Sequence, residues 1–330
     1  MQDITDSADQ AGLGARNGKL WAWGASAATA VGLVAFNVAN TRRTEAENPP
    51  IGGFIKVDGV RVHYLEQGSG PPIVLLHGNG ATVEDWTASG LFDQLAADHR
   101  VIAFDRPGFG YSDRPRSTVW TPKAQADVIA KAIAQLGIER PLVVGHSFGT
   151  LVTLALALEH TELVRGIVLI GGYYYATVRA DAVLTSPPAI PIIGDAMRYT
   201  VSPLIAAAIS PLAAKKIFHP APVSDKFEAF PIALSFRPSQ IRAEAAEAGM
   251  MIPAAASLNK RLGELDLPVT IIAGAGDKMV FPGPQSERLH AALPGSRLHM
   301  IEGAGHMVHY TATEKVVAAI EAAAGPDREG

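Results

Sequence analysis

The stretch LVVGHSFGTLVTLALALEH (Leu142–His160) decides the fold. LVVGH is a short apolar run of the kind that forms a strand buried on both faces. From Phe148 to His160 the chain reads as a helix. Between the two, Gly145-His146-Ser147-Phe148-Gly149 matches G-x-S-x-G. A strand turning sharply into a helix forces the central serine into a strained conformation and exposes its hydroxyl. Flanking glycines remove side chains where such a turn packs tightly. Ser147 is therefore the candidate nucleophile. The backbone N–H of Phe148, at the helix N-terminus, is a candidate donor to an oxyanion. The plainer reading is a serine that caps the helix.

Outward from this stretch the same alternation recurs. Ile73–His77, Val101–Asp105, Gly166–Gly171, Val269–Gly274 and Arg297–Gly303 are further strand-like runs. Helix-like segments lie near 84–98, 121–137, 148–160, 284–293 and 312–324. FIKVDGVRVHYLEQG, around Asp58-Gly59, reads as a hairpin ahead of them. Strands apolar on both faces and alternating with helices specify the α/β class: a mostly parallel central sheet with helices on both faces. The alternation breaks once, over 173–262, a stretch too long for an ordinary crossover and rich in Pro turns and helical runs. It reads as an inserted helical cap, so 54–172 and 263–330 form the core. Reactive residues in such sheets collect at the carboxyl ends of the strands, under such a cap.

Composition bounds the function. The chain has 330 residues, 48% hydrophobic and 18% charged, enough for a large core. Lys and Arg number 28 against 32 Asp and Glu, a net charge of −4, which lacks the basic excess of a nucleic-acid binder. There is no cysteine, which excludes disulfides, thiolate metal sites and a Cys nucleophile.

HGNG (His77–Gly80), DRPGFGYSDRP (Asp105–Pro115), GHSFG, GAGD (Gly274–Asp277) and GAGH (Gly303–His306) each follow a predicted strand. In this order they resemble the α/β-hydrolase superfamily over residues 54–324. The resemblance implies a triad in the order Ser, acid, His. A serine hydroxyl is a poor nucleophile near neutral pH, so a base must take its proton. His306, after the last strand, is the candidate base, with His309 its local rival. Asp277, ending the VTIIAG strand, is the candidate acid that orients the imidazole. The resemblance also implies that the residue after His-Gly, Asn79, supplies a second backbone N–H to the oxyanion hole. Asn79 equally suits a plain turn. His77, His146 and Asp105 read as structural.

Haloalkane dehalogenases and epoxide hydrolases share similar motifs but carry Asp at the elbow, where this chain has Ser147. The expected activity is that of a serine esterase on a hydrophobic small-molecule ester. Carbon–carbon bond hydrolysis and cofactor-free perhydrolysis keep the same triad and remain open. So does a membrane-tethered, non-catalytic binder on the same fold. No nucleotide fingerprint or metal-ligand cluster stands out, so neither cofactor nor metal is expected. Tyr173, Tyr174 and Tyr175, opening the cap, either line an acyl pocket or pack the cap on the core.

Residues 1–19 form a polar tail. Residues 20–41 are uncharged, with Trp21 and Trp23 at one end and Arg42 and Arg43 beyond the other. A helix of roughly 20 residues spans a bilayer core of about 30 Å. The segment is expected to be a single membrane anchor. A signal peptide cleaved on secretion, or a buried core helix, is the alternative. Two basic residues flank each side, so the positive-inside rule leaves the orientation open. Residues 42–53 read as a linker.

Overall fold

In the computed structural model, which describes residues 26–325, LVVGH is strand β5 (Leu142–His146), inside an eight-stranded sheet. The sheet order is β1 (Gly53–Val57), β2 (Val60–Gln67), β4 (Arg100–Phe104), β3 (Pro72–Leu76), β5, β6 (Gly166–Ile170), β7 (Val269–Gly274) and β8 (Arg297–Ile301). β2 runs antiparallel to β1 and β4, and all other pairings are parallel. The hairpin turns at Asp58 and Gly59, with φ of 48° and 85°, as a tight two-residue turn requires. β3 lies between β4 and β5, so the chain winds away from β3 in both directions. At that switch point, where such sheets place their ligands, the carboxyl ends of β3 and β5 carry HGNG and Ser147.

Alternate residues of each central strand feed opposite cores. Val74, Leu76, Ile102, Phe104 and Val143 pack beneath α4 (Pro122–Gln135) and α5 (Gly149–Glu159). Ile73, Leu75, Val101, Ala103 and Val144 pack against α3 (Leu91–Ala96) and α12 (Thr313–Ala324). Thr121 caps α4 by accepting from the Ala124 N–H, with Pro122 at the first helical position. The helix expected over 84–98 is divided: α2 (Glu84–Ala88) stops before Gly90, whose φ of 77° breaks the run ahead of α3.

Between β6 and β7 lie α6 (Ala180–Thr185), α7 (Ile193–Tyr199), α8 (Ser202–Phe218) and α9 (Pro238–Leu258), with short 3₁₀ turns among them. The chain re-enters the sheet at β7; α10 (Arg288–Ala292) then leads to β8, and α11 (Val308–Thr311) follows β8.

The N-terminal segment differs from expectation. Helix α1 covers residues 26–47, so 42–47 is helix rather than linker. Arg43 and Glu47 pair one turn apart at 2.8 Å, and Pro49-Pro50 ends the helix. Asn37 is buried and donates to the carbonyls of Tyr199 (3.0 Å) and Thr200 (2.7 Å). Arg237 of the insertion pairs with Glu45 at 3.0 Å. Among the described residues no single helix is long and apolar enough to cross a membrane. Residues 20–25 of the expected anchor lie outside the described residues.

Candidate active site

The turn after β5 places Ser147 at φ 51°, a left-handed conformation rare for a residue with a side chain. Glycine is obligatory beside it. A Cβ on Gly149 would fall 2.2 Å from the Leu76 carbonyl oxygen, and one on Gly145 2.4 Å from Thr153 Oγ1. The Ser147 N–H donates to the Ile170 carbonyl of β6 at 2.9 Å, which fixes the elbow on the sheet.

The loops after β7 and β8 bring Asp277 and His306 to this serine. His306 Nε2 lies 2.9 Å from Ser147 Oγ, and its Nδ1 2.7 Å from Asp277 Oδ2. A carboxylate only accepts, so Nδ1 carries the proton and Nε2 is left to accept from the serine hydroxyl. The other Asp277 oxygen accepts from the Met279 (2.7 Å) and Val280 (2.9 Å) N–H groups, which lock the carboxylate. The His306 N–H donates to the Ile217 carbonyl of α8 at 3.0 Å, so the insertion holds the histidine loop. His309 points away: its Nε2 meets Asp85 Oδ2 at 3.0 Å in the interior.

HGNG follows β3 and presses on the elbow. A Cβ on Gly78 would stand 3.1 Å from His146 Nδ1 and 3.2 Å from Ser147 Cβ, a tight fit that glycine relieves where the Asn79 loop approaches the elbow. The Asn79 side chain donates to the Glu244 carbonyl of α9 at 3.2 Å. Phe148 is buried at the start of α5. Tyr173, Tyr174 and Tyr175 are also buried. One Gln285 oxygen accepts from the Tyr174 and Tyr175 N–H groups, and the Tyr173 hydroxyl donates to the Thr177 carbonyl. The three rings belong to the core packing beneath α5 and α9.

Sequence reading gave the arginine of DRPG no part in the site. The structure buries Arg106 completely and makes it a brace. Its Nε donates to the His77 carbonyl (2.7 Å), and its Nη2 to those of Gly78 (3.0 Å) and to Glu247 (3.0 Å). Nη1 reaches Glu247 and Gln125, and the guanidinium lies 5.2 Å from the Phe148 ring centroid. One side chain thus touches both sides of the elbow. Its neighbour in the motif could have drawn attention to it, but nothing in the sequence pairs it with Glu247, 141 positions away. His77 accepts the Arg106 N–H at Nε2 (3.0 Å), and burial with the Arg106 charge holds it down to about 3, hence neutral. Asp105 accepts from the Val83 and Tyr111 N–H groups and from His63.

Asp85, His146 and His309 have donor atoms within 4.8 Å of one another, close enough to suggest a cation. Two of the three are already joined by the His309–Asp85 bond. His146 Nε2 lies 3.2 Å from the His306 carbonyl, so the cluster also backs the histidine loop.

A sequence model of the alpha/beta hydrolase fold matches residues 71–313. The chain belongs to the alpha/beta hydrolase family. This hydrolase is 30% identical over 281 residues to an uncharacterized protein of Mycobacterium tuberculosis, covering 81% of this chain and 79% of the relative. It is 28% identical over 269 residues to the 2-hydroxy-6-oxo-2,4-heptadienoate hydrolase of Pseudomonas putida, covering 79% and 91%. The enol-lactonase structure from Burkholderia xenovorans superposes with a TM-score of 0.67 at 20% identity, covering 82% of this chain and 99% of the other.

One further carboxyl group borders the site of this hydrolase. Glu244 Oε1 is enclosed near Gly80 with no hydrogen-bond partner among the described residues. Burial, then the Glu247 charge, pushes its pKa up to about 8. A carboxyl raised above its unfolded value contributes stability in full below the unfolded pKa of 4.5, and that contribution is lost as pH rises through about 8. Glu244→Gln, which stays neutral, is therefore expected to flatten this dependence. Its melting temperature exceeds that of the parent by several degrees at pH 8.5 and by little at pH 5. Equal differences at both pH values refute the assignment.

Proposed function

We propose that the protein is a serine esterase that cleaves hydrophobic carboxylic esters through an acyl-enzyme. What carries the reading is the positive-φ Ser147 with its Oγ in reach of His306 Nε2, itself held by Asp277. Ser147 Oγ attacks the ester carbonyl carbon while its proton passes to His306 Nε2. The backbone N–H groups of Phe148 and Asn79 receive the oxyanion. Collapse breaks the C–O bond, and His306 returns the proton to the departing alcohol. Water then attacks the acyl carbon, losing its proton to His306, and Ser147 is released with the carboxylic acid. The Asp277 carboxylate holds the tautomer and balances the imidazolium.

The test is a p-nitrophenyl ester series assayed in detergent with the parent and Ser147→Ala. Burying each added methylene favours the longer acyl chain by about 0.8 kcal/mol, up to about fourfold in kcat/KM. Octanoate is therefore expected to exceed acetate by a wide margin, and faster turnover of acetate counts against an apolar acyl site.

A second reading, carbon–carbon bond hydrolysis with the same side chains, has the likeness to the heptadienoate hydrolase in its favour. An enzyme that reacts with a fluorophosphonate at Ser147, ignores the ester series and cleaves 2-hydroxy-6-oxo-2,4-heptadienoate would establish it.

We also propose that residues 20–41 anchor the protein to a membrane, on the strength of their uncharged length and of Trp21 and Trp23. Complete release of the protein by a carbonate wash refutes the anchor.

A further inference from the structure

Helix α8 is an apolar helix that the described residues leave largely uncovered. Of its 17 residues only Ser202, Pro203 and Phe218, at its two ends, are buried. Val201, Leu204, Ile205, Ile209 and Leu212 all stand in the open, with Ile209 52% and Leu212 69% exposed. At 100° per residue these positions fall on one face. Ile190 and Ile192, just ahead of α7, and Ile193, at its start, are exposed as well. Ile192 is 82% exposed and holds φ 68°, which a β-branched residue adopts only under constraint. The constraint is visible: its N–H donates to Asp195, which is clasped by Arg116 and Arg198. The fold thus keeps an aliphatic side chain pointed outward. A helix in water owes most of its stability to packing on its apolar face, and among the described residues this face has no packing partner.

We propose that the exposed face of α7 and α8 docks on a lipid bilayer, with its aliphatic side chains among the acyl chains below the headgroups. Three observations select lipid over a protein partner. The face is continuous with α1. Asn37 ties α1 to the bend between α7 and α8, and a groove of about 420 Å³ lies between them, lined by Ser26, Ala30, Leu33, Thr200 and Val201 among others. Val31, Val34 and Phe36 are exposed on α1, and the chain carries no charge from Leu20 to Thr41. The α8 part of the face is aliphatic, with none of the Trp, Tyr and Arg anchors that dominate protein interfaces. Finally, both apolar runs end in basic pairs, Lys215-Lys216 and Arg42-Arg43, which suit anionic headgroups. α7 and α8 together have the length and apolarity of a membrane segment, but they meet at a 66° bend, and both ends of α8 are seated on the protein. That geometry fits lying on a bilayer rather than crossing it. The same helix holds His306 through the Ile217 carbonyl, so its seat lies beside the proposed chemistry.

The chain has no cysteine, so single-cysteine variants of the full-length protein report depth directly. Ile209→Cys and Leu212→Cys, each labelled with a polarity-sensitive fluorophore, are mixed with phosphatidylcholine–phosphatidylglycerol vesicles carrying nitroxide lipids. Glu321→Cys, in the last turns of α12, is the control. All three also carry Ser147→Ala, so the readout is independent of the esterase reading. Quenching at 209 and 212 several-fold stronger than at 321 is the expected result. Equal quenching at all three sites overturns the proposal, as tethering by residues 20–41 alone would produce. A vesicle-independent dimer with 209 and 212 shielded overturns it too, in favour of a second copy. The kinetic arm rests on the esterase reading. With Ser147 intact, Ile205→Asp/Ile209→Asp is expected to lose tenfold or more on an ester dispersed in vesicles. It should stay within twofold on soluble p-nitrophenyl acetate. Equal losses on both substrates count against lipid docking.

Discussion

Ser147→Ala is expected to lower kcat on an activated ester by about 10⁴- to 10⁶-fold with the protein still folded. Alanine fits where serine stood, and it keeps the Ile170 contact, which is made by the backbone N–H. Asp277→Asn is expected to cost about 10⁴-fold for a different reason. An amide facing Nδ1 favours the wrong imidazole tautomer, and His306 then presents a proton, not a lone pair, to Ser147. The N–H groups of Met279 and Val280 still find an oxygen, so the loop survives. The double variant Ser147→Ala/His306→Ala should be no slower than Ser147→Ala, because the side chains act as one unit. Single-turnover rates and fluorophosphonate labelling measure this directly. A Ser147→Ala protein retaining a tenth of the parental rate removes Ser147 from the mechanism. Multiplicative losses in the double variant break the unit apart.

Glu247→Ala is expected to destabilise the protein by about 3–5 kcal/mol, the cost of leaving the buried Arg106 guanidinium without its counter-charge. Both side chains are fully buried, so solvent cannot replace the lost partner. The melting temperature should fall by about 10 °C. Glu247→Gln is the gentler probe. It keeps a hydrogen-bond acceptor for Arg106 and is expected to fold. Because Arg106 holds the carbonyls of His77 and Gly78 and lies against Phe148, a loosened guanidinium loosens the loop that carries Asn79. That loop matters more once the oxyanion forms than while substrate binds. Glu247→Gln is therefore expected to lower kcat about tenfold or more with KM within about twofold. Chemical denaturation and steady-state kinetics on the same preparations separate the two effects. A stable Glu247→Gln with an unchanged kcat makes the pair structural only.

The elements most legible in the sequence are those whose signal is local. The hairpin at Asp58-Gly59, the strands from β3 to β8 and the helix after Ser147 are each fixed by a few neighbouring residues. Apolar runs bounded by turn residues read directly as buried strands. The boundaries least legible lie where short-range pairs act against composition. Residues 42–47 look like a linker by polarity, yet the helix runs on to Glu47, with Arg43 and Glu47 paired along it and Glu45 held by Arg237. Gly90 splits an otherwise helical run because its conformation, not its neighbours, decides the break.

For the site, the sequence by itself determined the elbow at Ser147 and the strand ends from which Asp277 and His306 project. Those follow from motif order and from the rule that loops at one sheet edge converge. Only the tertiary structure decided which buried polar groups meet. Arg106 with Glu247, Glu244 beside Gly80, and Asp85 with His309 join residues far apart in the chain. In a sequence, a buried charge is indistinguishable from a solvated one, because its meaning comes from the partner that satisfies it. The same holds for α8 in reverse: a sequence does not tell whether an apolar helix is covered, and only the fold shows that the described residues leave this face open.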